Sequence, residues 1–230
     1  RVRGAEALVR WQHPEHGLLG PARFVEAAER SGAIVRLGRW VLTEACRQAA
    51  AWWRELGARA PYVSVNVSPV QLAEPGWAAE VMAVMDLTEL PPWQLQLEIT
   101  ELAVVRDEAA AKAALSALRA TGVRLALDDF GTGYSGLAWL RQLPVHALKI
   151  DGSFVDGLRH RHDDPVDRSI VEALIRMAHA LDLEVTAEWV ETAQQMEWLT
   201  ALGCDLGQGR WLGEAGPAES VADLWRRNME

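Results

Sequence analysis

Little in this chain of 230 residues points to covalent cross-links or thiolate-bound metal. It has two cysteines, Cys46 and Cys204, with no CxxC pair and no zinc-type spacing. A disulfide framework is therefore not expected, and a reducing compartment is the default. Phe and Tyr are scarce, at three and two residues, and leave most aromatic packing to 11 Trp. No apolar run approaches the ~20 residues that a membrane span needs. Arg1-Val2-Arg3-Gly4-Ala5-Glu6 has no signal-peptide apolar core. The expected location is cytoplasmic, alone or as the cytoplasmic part of a membrane-anchored protein. Positive charge is also short: 23 Lys and Arg against 32 Asp and Glu give a net charge of −9 and a pI near 5.2. That balance argues against contact with duplex nucleic acid or an anionic membrane. A phosphate-bearing substrate stays open, provided a metal ion supplies the missing charge.

The rest of the composition, 50% hydrophobic and 24% charged, is ordinary for a globular protein. No linker or low-complexity segment divides the chain, so residues 1–230 read as one domain. Short β-rich runs fall at Ala5–Trp11, Tyr62–Val67, Leu95–Ile99, Arg124–Leu127, Ala147–Ile150, Glu184–Ala187 and, weakly, Cys204–Gly207. Amphipathic stretches alternate with them: Gly38–Leu56, Pro69–Met85, Glu108–Thr121, Val166–Leu181, Gln194–Leu202 and Ala218–Arg227. Strands alternating with helices predict a parallel α/β sheet, buried on both faces. No GxGxxG or GxxxxGK[ST] follows the early strands, which removes the usual phosphate signatures of open doubly wound sheets. A (β/α)8 barrel is the better match. Only seven runs are found, so one strand is expected upstream of Arg1, in a larger protein from which this domain is excised.

Polar residues recur where these runs end: Glu6, Asn66, Glu98, Asp128-Asp129, Lys149, Glu188 and Gln208. A barrel opens all its strand ends on one face, so these groups are expected around one mouth. Singly, each has a bland reading as helix cap, ion-pair partner or turn former. Together, five carboxylates around one lysine would repel strongly in a low-dielectric site. One or two divalent cations are the simplest compensation. Carboxylates and an amide oxygen, without Cys or His, suit Mg²⁺ or Mn²⁺ better than Zn²⁺. Adjacent Asp128 and Asp129 could serve two ions. His160-x-His162-Asp163-Asp164 reads instead as a solvated loop before a helix, and His13 and His179 as structural residues.

These residues resemble a known family. Gly4-Ala5-Glu6-Ala7-Leu8-Val9-Arg10-Trp11 is similar to the signature that names the EAL domain, the cyclic di-GMP phosphodiesterases. The likeness continues in Val65-Asn66-Val67-Ser68, Glu98-Ile99-Thr100-Glu101, Asp128 to Ser135, Leu148-Lys149-Ile150-Asp151, Ala187 to Thr192 and Gln208-Gly209. It implies a modified TIM-type barrel that hydrolyses cyclic di-GMP to linear pGpG with Mg²⁺ or Mn²⁺ and is inhibited by Ca²⁺. It would make Glu6, Asn66, Glu98, Asp128 and Asp129 metal ligands and Glu188 the general base. Lys149 would position the attacking water. Gln208 and Glu191 would complete the site, Leu8 and Arg10 would lie at the substrate, and Glu101 would anchor the loop Asp129–Ser135. In this family that loop couples homodimerisation to metal binding. The departures are Trp189, where the family has Gly, Arg210 where an aromatic is usual, and Glu214-Ala215 in place of Arg-Pro. They motivate the alternative of a weakened or inactive cyclic di-GMP receptor or interaction module. A left-handed backbone at position 189 would strain an indole that must also displace something beside Glu188.

Overall fold

A computed structural model describes residues 1–131, 137–159 and 165–227. Contacts divide the chain into two compact units. Unit 1 holds residues 1–99, 103–124 and the C-terminal segment from Pro217; unit 2 holds 100–102 and 125–216.

In unit 1, β1 (Gly4–Ala7) pairs in parallel with β4 (Tyr62–Val67), and β4 with β5 (Leu95–Thr100). Register sets the faces. Glu6 lies opposite Ser64, and Asn66 opposite Glu98, so polar residues share one side. The alternate residues Val63, Val65, Val67, Leu95, Leu97 and Ile99 are buried on the other. The helix Ala33–Leu56 covers the core with Ile34, Gly38, Leu42, Ala45, Cys46 and Ala49, which recur at helical spacing. Gly38 has a packing reason, since a Cβ there would fall 2.0 Å from the Gln71 amide.

The helix expected over Gly38–Leu56 begins five residues earlier, at Ala33, and two further sequence expectations change in this unit. The first strand stops at Ala7 rather than running to Trp11, because Trp11–His13 turns back against Gly17–Leu19 as an antiparallel hairpin, β2 and β3. The helix expected over Pro69–Met85 is two, Pro69–Leu72 and Trp77–Thr88. The break falls at Gly76, whose φ of 85° no helix interior accommodates.

Unit 2 is built on β6 (Arg124–Phe130), β7 (Ala147–Ile150), β8 (Glu184–Ala187) and β9 (Leu206–Gly207), parallel and adjacent in that order. The helices Gly152–Asp156, Pro165–Ala180 and Ala193–Ala201 form its main connections. The centres of β6, β7 and β8 are buried, as a parallel sheet requires: Leu125, Leu127, Leu148, Ile150 and Val185 are all solvent-inaccessible, while Asp129 is exposed and β9 is half-buried. Seven parallel strands are thus present among the described residues, the number counted from the sequence. None of the described helices is long and apolar enough to cross a membrane.

Candidate active site

Unit 2 carries the densest group of charge. The Asp128, Asp129 and Glu188 carboxylates each offer an oxygen within 4.8 Å of the others. Adjacent residues in a regular strand point to opposite faces, so a strand alone would part Asp128 from Asp129. A β-bulge brings them together. Leu127 pairs with Leu148 but Phe130 with Ile150, so β6 gains one residue on β7, and Asp129 takes a left-handed φ of 53°. The Asp129 backbone N–H then donates to Asp128 Oδ1 at 3.0 Å.

Lys149 is the cation of this group. Its Nζ lies 3.1 Å from Asp128 Oδ1 and 2.7 Å from Glu188 Oε1. The lysine is 1% exposed and Asp128 is 7% exposed, so both ion pairs are held away from water. Glu188 leaves β8 with its backbone N–H on the Ile150 carbonyl, 3.2 Å away, which ties the end of β8 to the end of β7. Gln208 is placed in the same way: its N–H donates to the Ala187 carbonyl (2.8 Å), and its own carbonyl accepts the Val190 N–H (2.9 Å). Gly209 permits this approach, since a Cβ there would sit 2.2 Å from the Val190 carbonyl oxygen.

Trp189 does have the left-handed backbone the sequence raised, with φ 53°. Its indole displaces neither Glu188 nor Lys149. It rests on Gly152 instead, where an added Cβ would fall 2.1 Å from the indole Cγ. Missing from the sequence reading is Gln195, which is fully buried. Its Oε1 accepts the Glu191 N–H (2.8 Å) and the Thr192 N–H (3.0 Å), while its Nε2 donates to the Val155 carbonyl (2.9 Å). The Thr192-x-x-Gln195 spacing of a capping box was its signal.

Unit 1 brings together a smaller set. Asn66 Nδ2 donates to Glu6 Oε1 at 2.5 Å, and Glu98, 2% exposed, accepts from Gln96 Nε2 at 3.4 Å. Leu8 and Arg10 are exposed beyond β1, the guanidinium donating to the Val9 carbonyl. In unit 2, Glu101 is buried in the first turn of the helix Glu101–Arg106, and Glu191 is half-buried. Arg210, Glu214 and Ala215 are exposed. His13 accepts two backbone N–H groups in the hairpin turn, and His179 meets Asp205 at 2.9 Å, both structural as expected. His160 to Asp164 and most of the loop Asp129–Ser135 lie outside the described residues.

A divalent cation fits the donors of unit 2. Ligands of an octahedral Mg²⁺ lie about 3 Å apart when adjacent and about 4.2 Å apart when opposite, so oxygens within 4.8 Å of one another can converge on one ion by side-chain rotation. All three donors are hard oxygens, and the buried Lys149 pairs with two of the three carboxylates.

Comparison with known proteins agrees. The EAL domain family profile matches residues 1–215. The chain belongs to the EAL domain family. The EAL domain here is 44% identical over 219 residues to the bifunctional diguanylate cyclase/cyclic di-GMP phosphodiesterase MucR of Pseudomonas aeruginosa, covering 95% of this chain and 31% of MucR. It is 38% identical over 229 residues to the cyclic di-GMP phosphodiesterase PdeR of Escherichia coli, covering 100% of this chain and 34% of PdeR. The chain therefore spans about a third of the length of these curated relatives. The solved structure of the MucR phosphodiesterase in complex with c-di-GMP superposes with a TM-score of 0.88 at 44% identity, over 94% of this chain and 86% of that one. The EAL domain thus has the fold class expected from its sequence, the parallel α/β, TIM-type barrel class of these structures.

Proposed function

We propose that this EAL domain hydrolyses cyclic di-GMP to linear pGpG with Mg²⁺ or Mn²⁺. The observation that carries the reading is the buried Lys149 bonded to both Asp128 and Glu188, with Asp129 beside them. Phosphodiester hydrolysis needs a water in line with the leaving 3′ oxygen, a base for its proton and compensation of charge on the phosphoryl oxygens. A divalent cation held by Asp128 and Asp129 would supply that compensation, and Glu6, Asn66 and Glu98 are proposed as metal ligands from their motif positions. Glu188 takes the proton of the attacking water on its carboxylate. Lys149 donates to that carboxylate at 2.7 Å and orients it. The new P–O bond forms as the P–O3′ bond breaks, and the leaving oxygen takes up a proton from solvent water. Gln208, Glu191, Leu8 and Arg10 are proposed to frame the substrate, and Glu101 to anchor the loop Asp129–Ser135 in a homodimer.

The receptor alternative rested on Trp189, Arg210 and Glu214-Ala215. The placement of the indole over Gly152, clear of the Lys149–Glu188 contact, favours the enzyme. Incubation of cyclic di-GMP with the chain and Mn²⁺ should release pGpG, and Glu6→Ala should abolish release. Tight nucleotide binding without turnover would support the receptor instead.

A further inference from the structure

Trp189 combines three properties that packing alone does not explain. It is a bulky residue at φ 53°, a conformation that destabilises any side chain other than glycine. It is 54% exposed, so burial does not offset that strain. It also follows Glu188 directly, which places its Cα about 3.8 Å from the Cα of the residue whose carboxylate meets Lys149.

The indole is nevertheless fixed. Gly152 opens the helix Gly152–Asp156, three residues after Lys149, and has no side chain to occupy the space where the pyrrole ring sits. A Cβ at Gly152 would lie 2.1 Å from the indole Cγ and 2.2 Å from Cδ2. The ring is thus braced at its pyrrole end against the Gly152 backbone, at the start of the helix that follows β7, while more than half of the residue stays exposed. A braced, exposed aromatic surface one residue along the chain from Glu188 suits a ligand that presents a flat π-system.

We propose that Trp189 is a stacking platform for one purine base of the substrate dinucleotide. The inference rests on the phosphodiesterase reading and deepens it. The carboxylates cannot attract a phosphodiester without a cation, whereas an indole binds a base whatever the charge balance. Strain at position 189 is thereby exchanged for substrate affinity, and position 189 becomes a determinant of affinity rather than an obstacle in the site.

The test measures Kd for cyclic di-GMP by calorimetry, with KM, kcat and melting temperature, on the wild type, Trp189→Ala, Trp189→Phe and Trp189→Gly. One base–aromatic stack is worth roughly a 5- to 150-fold change in affinity on truncation to alanine. Trp189→Ala should raise Kd and KM within that range and leave kcat within about twofold. Trp189→Phe should recover most of the loss. Trp189→Gly should weaken binding equally yet melt no lower than the wild type, because glycine relieves the strained φ; a purely structural tryptophan would lower the melting temperature instead. Unchanged or tighter binding in Trp189→Ala, or a loss in kcat at constant KM, overturns the proposal while wild-type turnover keeps the phosphodiesterase reading. A wild type that neither binds nor hydrolyses the dinucleotide overturns both.

Discussion

Lys149 shows how far a few atoms decide the behaviour of this protein. Its ammonium is buried between Asp128 and Glu188, and each contact is a charge-assisted hydrogen bond in a site poor in water. Without it, the Asp128 and Glu188 carboxylates lose the counter-charge they share in a low-dielectric setting. Removing one partner of a buried ion pair costs about 3–5 kcal/mol. Lys149→Met should lose that much stability in urea denaturation without divalent cations, and turnover with it. The cysteines make a second, quieter prediction. Burial pushes the Cys46 thiol up to about 12 and the Cys204 thiol up to about 11. Both thiols stay neutral in the native state at a pH where the unfolded chain already ionises, near 8.5. Their contribution is therefore full below about pH 8.5 and is lost as pH rises towards those values. Between pH 8 and 10.5 the wild type should lose stability more steeply than Cys46→Ala, as read from urea midpoints.

The strand-end loops of unit 2 are held by elements that have no chemistry of their own. The helix Ala193–Ala201 carries Gln195 at its third residue, which closes the segment Glu191-Thr192 onto Val155 through three hydrogen bonds. Gln195→Ala would strip an acceptor from two backbone N–H groups and a donor from one carbonyl, at about 1–3 kcal/mol for each group left unsatisfied. It should lower the denaturation midpoint clearly, because the Glu191-Thr192 segment loses its tie to Val155. These elements also show what the sequence can and cannot disclose. The strands and long helices were legible because their apolar periodicity is regular: Glu108–Thr121 was placed within its observed bounds, and Pro165–Ala180 within one residue at each end. The hairpin Trp11–Leu19 was not, since its short strands lack an alternating pattern long enough to be read. The β-bulge at Asp128-Asp129 was invisible too. Two adjacent acids show that a pair exists, but only the register of β6 on β7 shows that both can face the same group. Trp189 was legible as a departure, yet its resting place depends on Gly152, 37 positions away in the chain.

Across the chain, the acidity now has a physical basis. Asp128, Asp129 and Glu188 are gathered in unit 2, and Glu6 and Glu98 lie on the polar face of the unit 1 strands, among the 32 acids that make the net charge −9. A protein that concentrates like charges in this way should be stabilised by a cation that binds only the native state. At 100 times its Kd such a ligand adds about 2.7 kcal/mol, which for a chain of 230 residues is roughly a 5–10 °C rise in melting temperature. Mn²⁺ or Mg²⁺ should produce a rise of that order, and a chelator should reverse it. The wild-type chain should moreover convert cyclic di-GMP to pGpG when Mn²⁺ is present and stop when it is chelated. Chromatography of the nucleotides after such an incubation is the most direct measurement. A metal-dependent pGpG peak is the expected result, and cyclic di-GMP recovered intact with Mn²⁺ saturating would contradict it.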